Sequence, residues 1–197
     1  GTPATAVALL QLLNTVDAAA LRRLHPVTAV AVTTLPWCDQ TTGVADVVRW
    51  RAAFPAATGA RVMRVAAPTA AALAGLTYLD LSGLKSGVTD DVIRLLPPTL
   101  QTLNVRGCRL LSGAVSFAHL PALVTLDCSS TGIGNAAIAT LPPSLQVLTA
   151  ANCNGSTGVD FRHLRALRTL GYKHVDDARM GSGHLPASLE KLKLMGT

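Results

Sequence analysis

Two histidines recur in one frame of this 197-residue chain: FAHLPALVTL begins at Phe117 and FRHLRALRTL at Phe161, placing His119 and His163 at matched positions 44 residues apart. Paired imidazoles can share a metal ion or a proton. Here the match extends to Phe, three Leu, Ala and Thr, so a repeated structural unit accounts for both histidines without shared chemistry. His174, Asp176, Asp177 and His184 form the one local cluster of candidate metal ligands. Their spacing fits no structural zinc pattern, and two successive acids suit a helix start. Cys38, Cys108, Cys128 and Cys153 include no C-x-x-C pair, which points to free thiols in a reducing compartment. GIGNAA from Gly132 satisfies G-x-G-x-x-A, yet lacks the strand-helix-strand setting and downstream acid of a dinucleotide site, and reads as a loop. Asn154-Gly155-Ser156 is formally a glycosylation sequon and reads as a turn. No nucleophile elbow, phosphate-binding loop or paired His-Glu helix motif occurs, so the residues predict a non-enzymatic protein with no cofactor and no metal.

The elements that must position these residues are periodic. In the frame L-x-x-L-x-L the first leucine falls at Leu76, Leu100, Leu123, Leu145, Leu167 and Leu189, in steps of 24, 23, 22, 22 and 22. VTAVAVTTL from Val27 and ARVMRVAAP from Ala60 fit more loosely as two degenerate opening turns, separated by a helical stretch from Val44 to Phe54. Alternation at period two sends places one, four and six of each turn inward, and places three, five and seven outward. Stacked in parallel about 4.8 Å apart, such turns build a curved rod roughly 35 to 40 Å long. The turns alternate in kind. Odd turns close with LPPTL at Leu96, LPPSL at Leu141 and LPASL at Leu185 and use a short helix such as TDDVIRLL; even turns close with FAHLPAL and FRHLRAL, where Phe117 and Phe161 plug the convex side. Trp37 and Trp50 seal the open end of the first turn, with Leu21 and Leu24 of a helix pair packed on it. The expected division is a helical N-terminal cap over 1–26, opening repeats with a helix over 27–75, and six turns over 76–197, the last incomplete.

Hydrophobic residues make up 49% of the chain but aromatics only 4%, so small aliphatics must fill an interior suited to uniform stacked layers. Apolar stretches such as AVALLQLL from Ala6 fall short of the roughly 20 residues that span a bilayer. With no basic flank or cleavage-like site beside that stretch, the expectation is no membrane span, no signal peptide and an intracellular, cytoplasmic location. The net charge is +6, and Phe161 to Thr197 contributes seven Lys or Arg against three acids.

LTYLDLSGL, LQTLNVRGC, LVTLDCSST, LQVLTAANC, LRTLGYKHV and LEKLKLMGT resemble leucine-rich repeats. The ninth places, Leu84, Cys108, Thr131, Cys153, Val175 and Thr197, together with LDLSG from Leu79 and VTD from Val88, resemble the cysteine-containing class. There Cys and Thr donate hydrogen bonds to turn backbone while buried, and burial raises a thiol pKa and quenches its reactivity. L-P-P-S-L at a period near 22 is also similar to repeats of protist families, particularly those of kinetoplastids. The resemblance implies an α/β solenoid: a curved parallel sheet with short helices or turns on its convex side and a helical N-terminal cap. It further implies a non-catalytic protein-interaction scaffold that binds through its concave face, as one subunit of a larger assembly.

On that face the fifth places run Arg64, Asp80, Asn104, Asp127, Thr149, Gly171 and Lys193, and the seventh run Ala66, Ser82, Arg106, Ser129, Ala151, Lys173 and Met195. The binding candidates are Tyr78, Asp80, Asn104, Arg106, Asp127, Lys173, Lys191 and Lys193, the larger or charged members among small neighbours. The chain ends at the ninth place of a turn without a polar cap, which implies further protein or a partner over that end. Two alternatives stand beside the scaffold. LLQLLNTVDAAALRRLHPV from Leu9 resembles the helical second half of an F-box, which implies a substrate-recognition adaptor of a ubiquitin ligase, although the leading L-P-x-E is absent. The basic C-terminal end suits an RNA-associated subunit of a ribonucleoprotein, but without the aromatic interleaving of a single-strand binder.

Overall fold

The computed structural model describes residues 13–64, 69–153, 158–173 and 184–194. The described residues open with two helices. In α1 (Thr15–Leu24) the Asn14 side chain accepts from the Asp17 N–H, with Asp17 in the first turn and Arg22 and Arg23 in the last, which matches the helix dipole at both ends. In α2 (Pro26–Thr34) proline presets the first helical φ and the His25 side chain accepts from the Val27 N–H. The segment from Val27, expected as an opening turn, is therefore helical. Its apolar residues carry no clear period, and the cap and the proline decide.

Eight strands follow among the described residues: β1 (Trp37–Val44), β2 (Ala57–Val62), β3 (Tyr78–Asp80), β4 (Thr102–Asn104), β5 (Thr125–Asp127), β6 (Val147–Ala151), β7 (Thr169–Lys173) and β8 (Lys191–Leu194). They form one sheet in chain order, and every neighbouring pair is parallel. The fourth places stand in line across six turns, Leu79, Leu103, Leu126, Leu148, Leu170 and Leu192. First places Leu76, Leu100, Leu123, Leu145 and Leu167 are fully buried, as are sixth places Val105, Cys128 and Ala150. Only on the last turn does the ladder surface, where Leu192 is 41% exposed.

Upstream the register departs from the expected frame. Ala60 pairs with Leu79 and Arg61 with Asp80, so Ala60 is a fourth place and Arg61, not Arg64, a fifth. The reason is volume: Trp37, Trp50 and Phe54 fill the interior here, with Trp37 edge-on to Phe54 at 5.3 Å. The strand beside them admits only Ala57, Gly59, Ala60 and Val62, while Met63 stands 54% exposed.

The helices α3 (Val47–Ala53), α4 (Ala70–Leu73), α5 (Asp90–Arg94) and α6 (Asn135–Ile138) lie between strands. The turns that begin at Leu100 and Leu145 have none among their described residues, and Phe117 and Phe161, both fully buried, occupy the space. The alternation has a second cause. The hydroxyls of Thr99, Ser144 and Ser188, one residue before the first-place leucine, donate to the carbonyls of Leu76, Leu123 and Leu167 one turn back. Even turns carry Ala122 and Ala166 there. In the first of them a histidine helps instead: His119 Nε2 lies 3.0 Å from the Ile93 carbonyl on α5. No helix among the described residues is long and apolar enough to cross a membrane.

Candidate interaction surface

The outward face of the sheet has a low floor. Thr102, Thr125, Val147 and Thr169 line up at third places and are half-buried by their neighbours in adjacent strands. Tyr78 begins this row. Burial, then the charge of Asp80, pushes its hydroxyl pKa upward, so the phenol stays protonated as a donor at neutral pH.

The fifth-place acids do something other than wait for a partner. Asp80 Oδ1 accepts from the Ser82 N–H at 2.8 Å, Asn104 Oδ1 from the Arg106 N–H at 3.1 Å and Asp127 Oδ1 from the Ser129 N–H at 2.9 Å. Each side chain folds the backbone as it leaves the strand, and Asn performs this as well as Asp. Asp80 is only 8% exposed and also faces Arg61 across the sheet at 3.8 Å. Tyr78 and Arg106 thus remain as the large side chains not committed to the turn, with Arg106 exposed. The candidates also divide in space. Tyr78, Asp80, Asn104, Arg106 and Asp127 belong to β3, β4, β5 and their exits; Lys173, Lys191 and Lys193 lie on β7 and β8, beyond β6. Lys191 and Lys193 are exposed, and Lys173 sits opposite Ala151 in the register.

A further regularity runs along the strand exits. The eighth places Gly83, Gly107, Ser130 and Asn152 all have φ between 56 and 76°. There the N–H groups of Gly83, Gly107 and Ser130 donate to the carbonyls of Arg106, Ser129 and Ala151 on the next turn. Glycine and asparagine at three of these four places are the visible sequence signal for left-handed backbone.

None of the four cysteines is in a disulfide. At ninth places Cys108 Sγ donates to the Leu81 carbonyl at 3.2 Å, Cys153 Sγ to the Cys128 carbonyl at 3.1 Å and the Thr131 hydroxyl to the same Cys128 carbonyl at 2.6 Å. Burial pushes the Cys108 thiol up to about 11. The expectation that burial raises every such thiol fails at Cys153. The adjoining Cys128 thiol and Thr131 hydroxyl would donate to its thiolate and draw it down, while contact with Cys153 and burial push Cys128 up.

Among the described residues no three His, Cys, Asp or Glu side chains come together as a metal-binding group. His174, Asp176 and Asp177 lie outside them, as do Asn154, Gly155 and Ser156. Among the described residues, His163 Nε2 and His184 Nδ1 are buried without a hydrogen-bond partner, unlike His119. Of GIGNAA, expected as a loop, only Gly132, Ile133 and Gly134 are one; Asn135, Ala136 and Ala137 already belong to α6. A Cβ at Gly132 would run into the Leu111 carbonyl oxygen, so this glycine serves the close approach of two turns.

Sequence reasoning missed Asp39. This fully buried carboxylate accepts from the Thr15 N–H and hydroxyl at 2.7 and 2.5 Å, and from the Thr41 and Thr42 N–H groups at 2.9 and 2.8 Å. It ties the start of α1 to β1. Trp50 adds an indole N–H to the Thr15 hydroxyl at 3.0 Å, and Trp37 one to the Val32 carbonyl at 3.0 Å. Leu21 packs against the core, but Leu24, expected beside it, is 74% exposed.

The fold is a leucine-rich repeat solenoid. No protein-family model matches this chain, and no curated protein does. Among solved structures, the leucine-rich repeat-containing protein LegL7 from Legionella pneumophila is similar at 15% identity, over 88% of this chain and 70% of that one, with a TM-score of 0.49.

Proposed function

We propose that the chain is a non-catalytic scaffold that holds a protein partner on the outward face of β3, β4 and β5. One observation carries this reading: Tyr78 and Arg106 stand over a floor of half-buried threonines and turn-bound acids. Tyr and Arg are the residue types richest in binding energy when a shallow surface lets them project. Tyr78→Ala combined with Arg106→Glu is expected to abolish capture of partners retained by the wild-type chain while leaving the unfolding midpoint nearly unchanged. Capture at the wild-type level by that double variant would contradict it. Cys108 and Cys153, donating from ninth places to turn carbonyls, support assignment to the cysteine-containing class, and four free thiols suit a reducing, intracellular compartment.

A second reading has its own observation. Leu24, Val27 and Val30 are 74, 68 and 60% exposed on α1 and α2. Val27 and Val30, three apart on α2, with Leu24 at the end of α1, suit an adaptor that docks by its helix pair, as the F-box-like reading requires. Leu24→Glu combined with Val27→Glu separates the two, because both side chains are exposed and outside the core, so the change removes capture under the adaptor reading only. The RNA-associated reading has less support, since Arg162 and Arg168 at the basic end are paired with Asp160 and Glu190.

A further inference from the structure

We infer that the edge where the chain leaves β2, β3 and β4 is a cationic rim that receives an extended, acidic segment of a protein partner; this rests on the scaffold reading above and supplies the partner's chemistry. Arg64, Lys85, Arg106 and Arg109 are exposed there, and none has an ion-pair or hydrogen-bond partner for its side chain among the described residues. Five arginines elsewhere are ion-paired, Arg49 with Asp46, Arg61 with Asp80, Arg94 with Asp91, Arg162 with Asp160 and Arg168 with Glu190, whereas the exposed Arg23 and Arg165 stand singly rather than in a cluster. The carboxylates beside the rim are committed as well. Asp80 and Asp127 hold their turns, and Asp90 accepts from the Ser112 N–H and hydroxyl at 2.9 and 2.5 Å. No ion pair among the described residues joins these four cations to a carboxylate.

The four cations are brought together by the stacking of the exit loops. Lys85 and Arg109 hold the same place of successive turns, nine residues after Leu76 and Leu100. The Gly83 N–H donates to the Arg106 carbonyl at 2.8 Å, and a Cβ at Gly107 would lie 3.8 Å from Gly83 Cα, so the two loops touch. Arg64 and Lys85 line one open depression of about 410 Å³ together with Met63 and Gly83. Arg109 lines a second of about 260 Å³ with Ser130 and Asn152. Glycine at two successive eighth places keeps this stretch low enough for another backbone to approach. Two strand spacings, about 10 Å, match about three residues of extended chain. Carboxylates on such a segment would meet guanidinium and ammonium groups that carry no other partner. The observations favour a peptide over a nucleic acid, because no aromatic side chain stands exposed beside these cations to stack a base: Trp37 and Trp50 are buried, and Tyr78 is half-buried on the outward face.

The test uses the full chain and two fluorescent probes, a synthetic peptide with glutamate at alternate positions and a single-stranded RNA oligonucleotide of equal charge, followed by anisotropy at low and at physiological salt. The peptide is expected to bind saturably, more weakly at higher salt, and to lose affinity by about tenfold with Lys85→Glu/Arg109→Glu. A smaller loss is expected with Lys85→Gln/Arg109→Gln, and none with the control Arg23→Glu/Arg165→Glu, which makes the same charge change elsewhere. All three variants should unfold at the wild-type midpoint. The proposal is overturned by absence of saturable binding, by equal losses in the rim and control variants, or by tighter binding of the RNA than of the peptide. Tyr78 and Arg106 are untouched in these variants, so a failure here leaves the scaffold reading to its own capture experiment.

Discussion

Asp39 is the residue on which the join between the helix pair and the sheet rests. Burial alone would raise its pKa, but the hydroxyl and N–H donors of Thr15, Thr41 and Thr42 outweigh that and hold the carboxyl below its ordinary value. Asp39→Ala strands those donors and is expected to cost on the order of 2 to 4 kcal/mol at neutral pH, read from the urea midpoint. The sign with pH follows from the lowered pKa: the contribution is present above the unfolded carboxylate value near 4 and is lost as pH falls through the folded one, so the deficit of the variant should shrink below about pH 4. A deficit independent of pH would mean that the carboxylate charge has no part in the join. The cysteines give a second check at this scale. Unfolded, non-reduced protein should titrate as four free thiols, whereas in the native protein half-buried Cys38 should react first and buried Cys108, raised to about 11, should stay inert. Finding only two thiols would refute the assignment.

At the scale of single turns, the fourth-place ladder and the fifth-place turn can be separated by substitution. Leu126→Ala, in the middle of the stack and 1% exposed, is expected to cost on the order of 2 to 5 kcal/mol in thermal unfolding. An unchanged midpoint would mean that the register is wrong. Asp127→Asn should cost less than about 0.5 kcal/mol because Asn104 already makes the same bond one turn earlier, while Asp127→Ala should cost about 1 kcal/mol. Equal losses would point to the charge rather than the turn. These turns also show what the sequence made legible. Leucines at steps near 22 placed β3 to β8 in register, since a one-residue slip would bury Asp127. The helix at Pro26 and the shift of three at Ala60 were not legible, because Trp37, Trp50 and Phe54 displace leucine from the interior there and no repeated residue marks the frame. Of the candidate site, position was legible but role was not. Alternation says that Asp80, Asn104 and Asp127 face outward, yet it cannot distinguish a side chain offered to a partner from one folded onto its own backbone two residues on.

Across the whole molecule two surfaces compete for a partner: the face of β3, β4 and β5 with its cationic rim, and the apolar side of α1 and α2. They lie on different elements, so a chemical probe of side-chain accessibility distinguishes them within one complex. Hydroxyl-radical footprinting of the chain alone and with its captured partner reads Tyr78 on the first surface and Leu24 on the second in the same digest. The scaffold account predicts that oxidation of Tyr78 falls on binding while that of Leu24, 74% exposed in the free chain, does not change. Protection of Leu24 with Tyr78 oxidised as before would contradict it and make the helix pair the surface that binds.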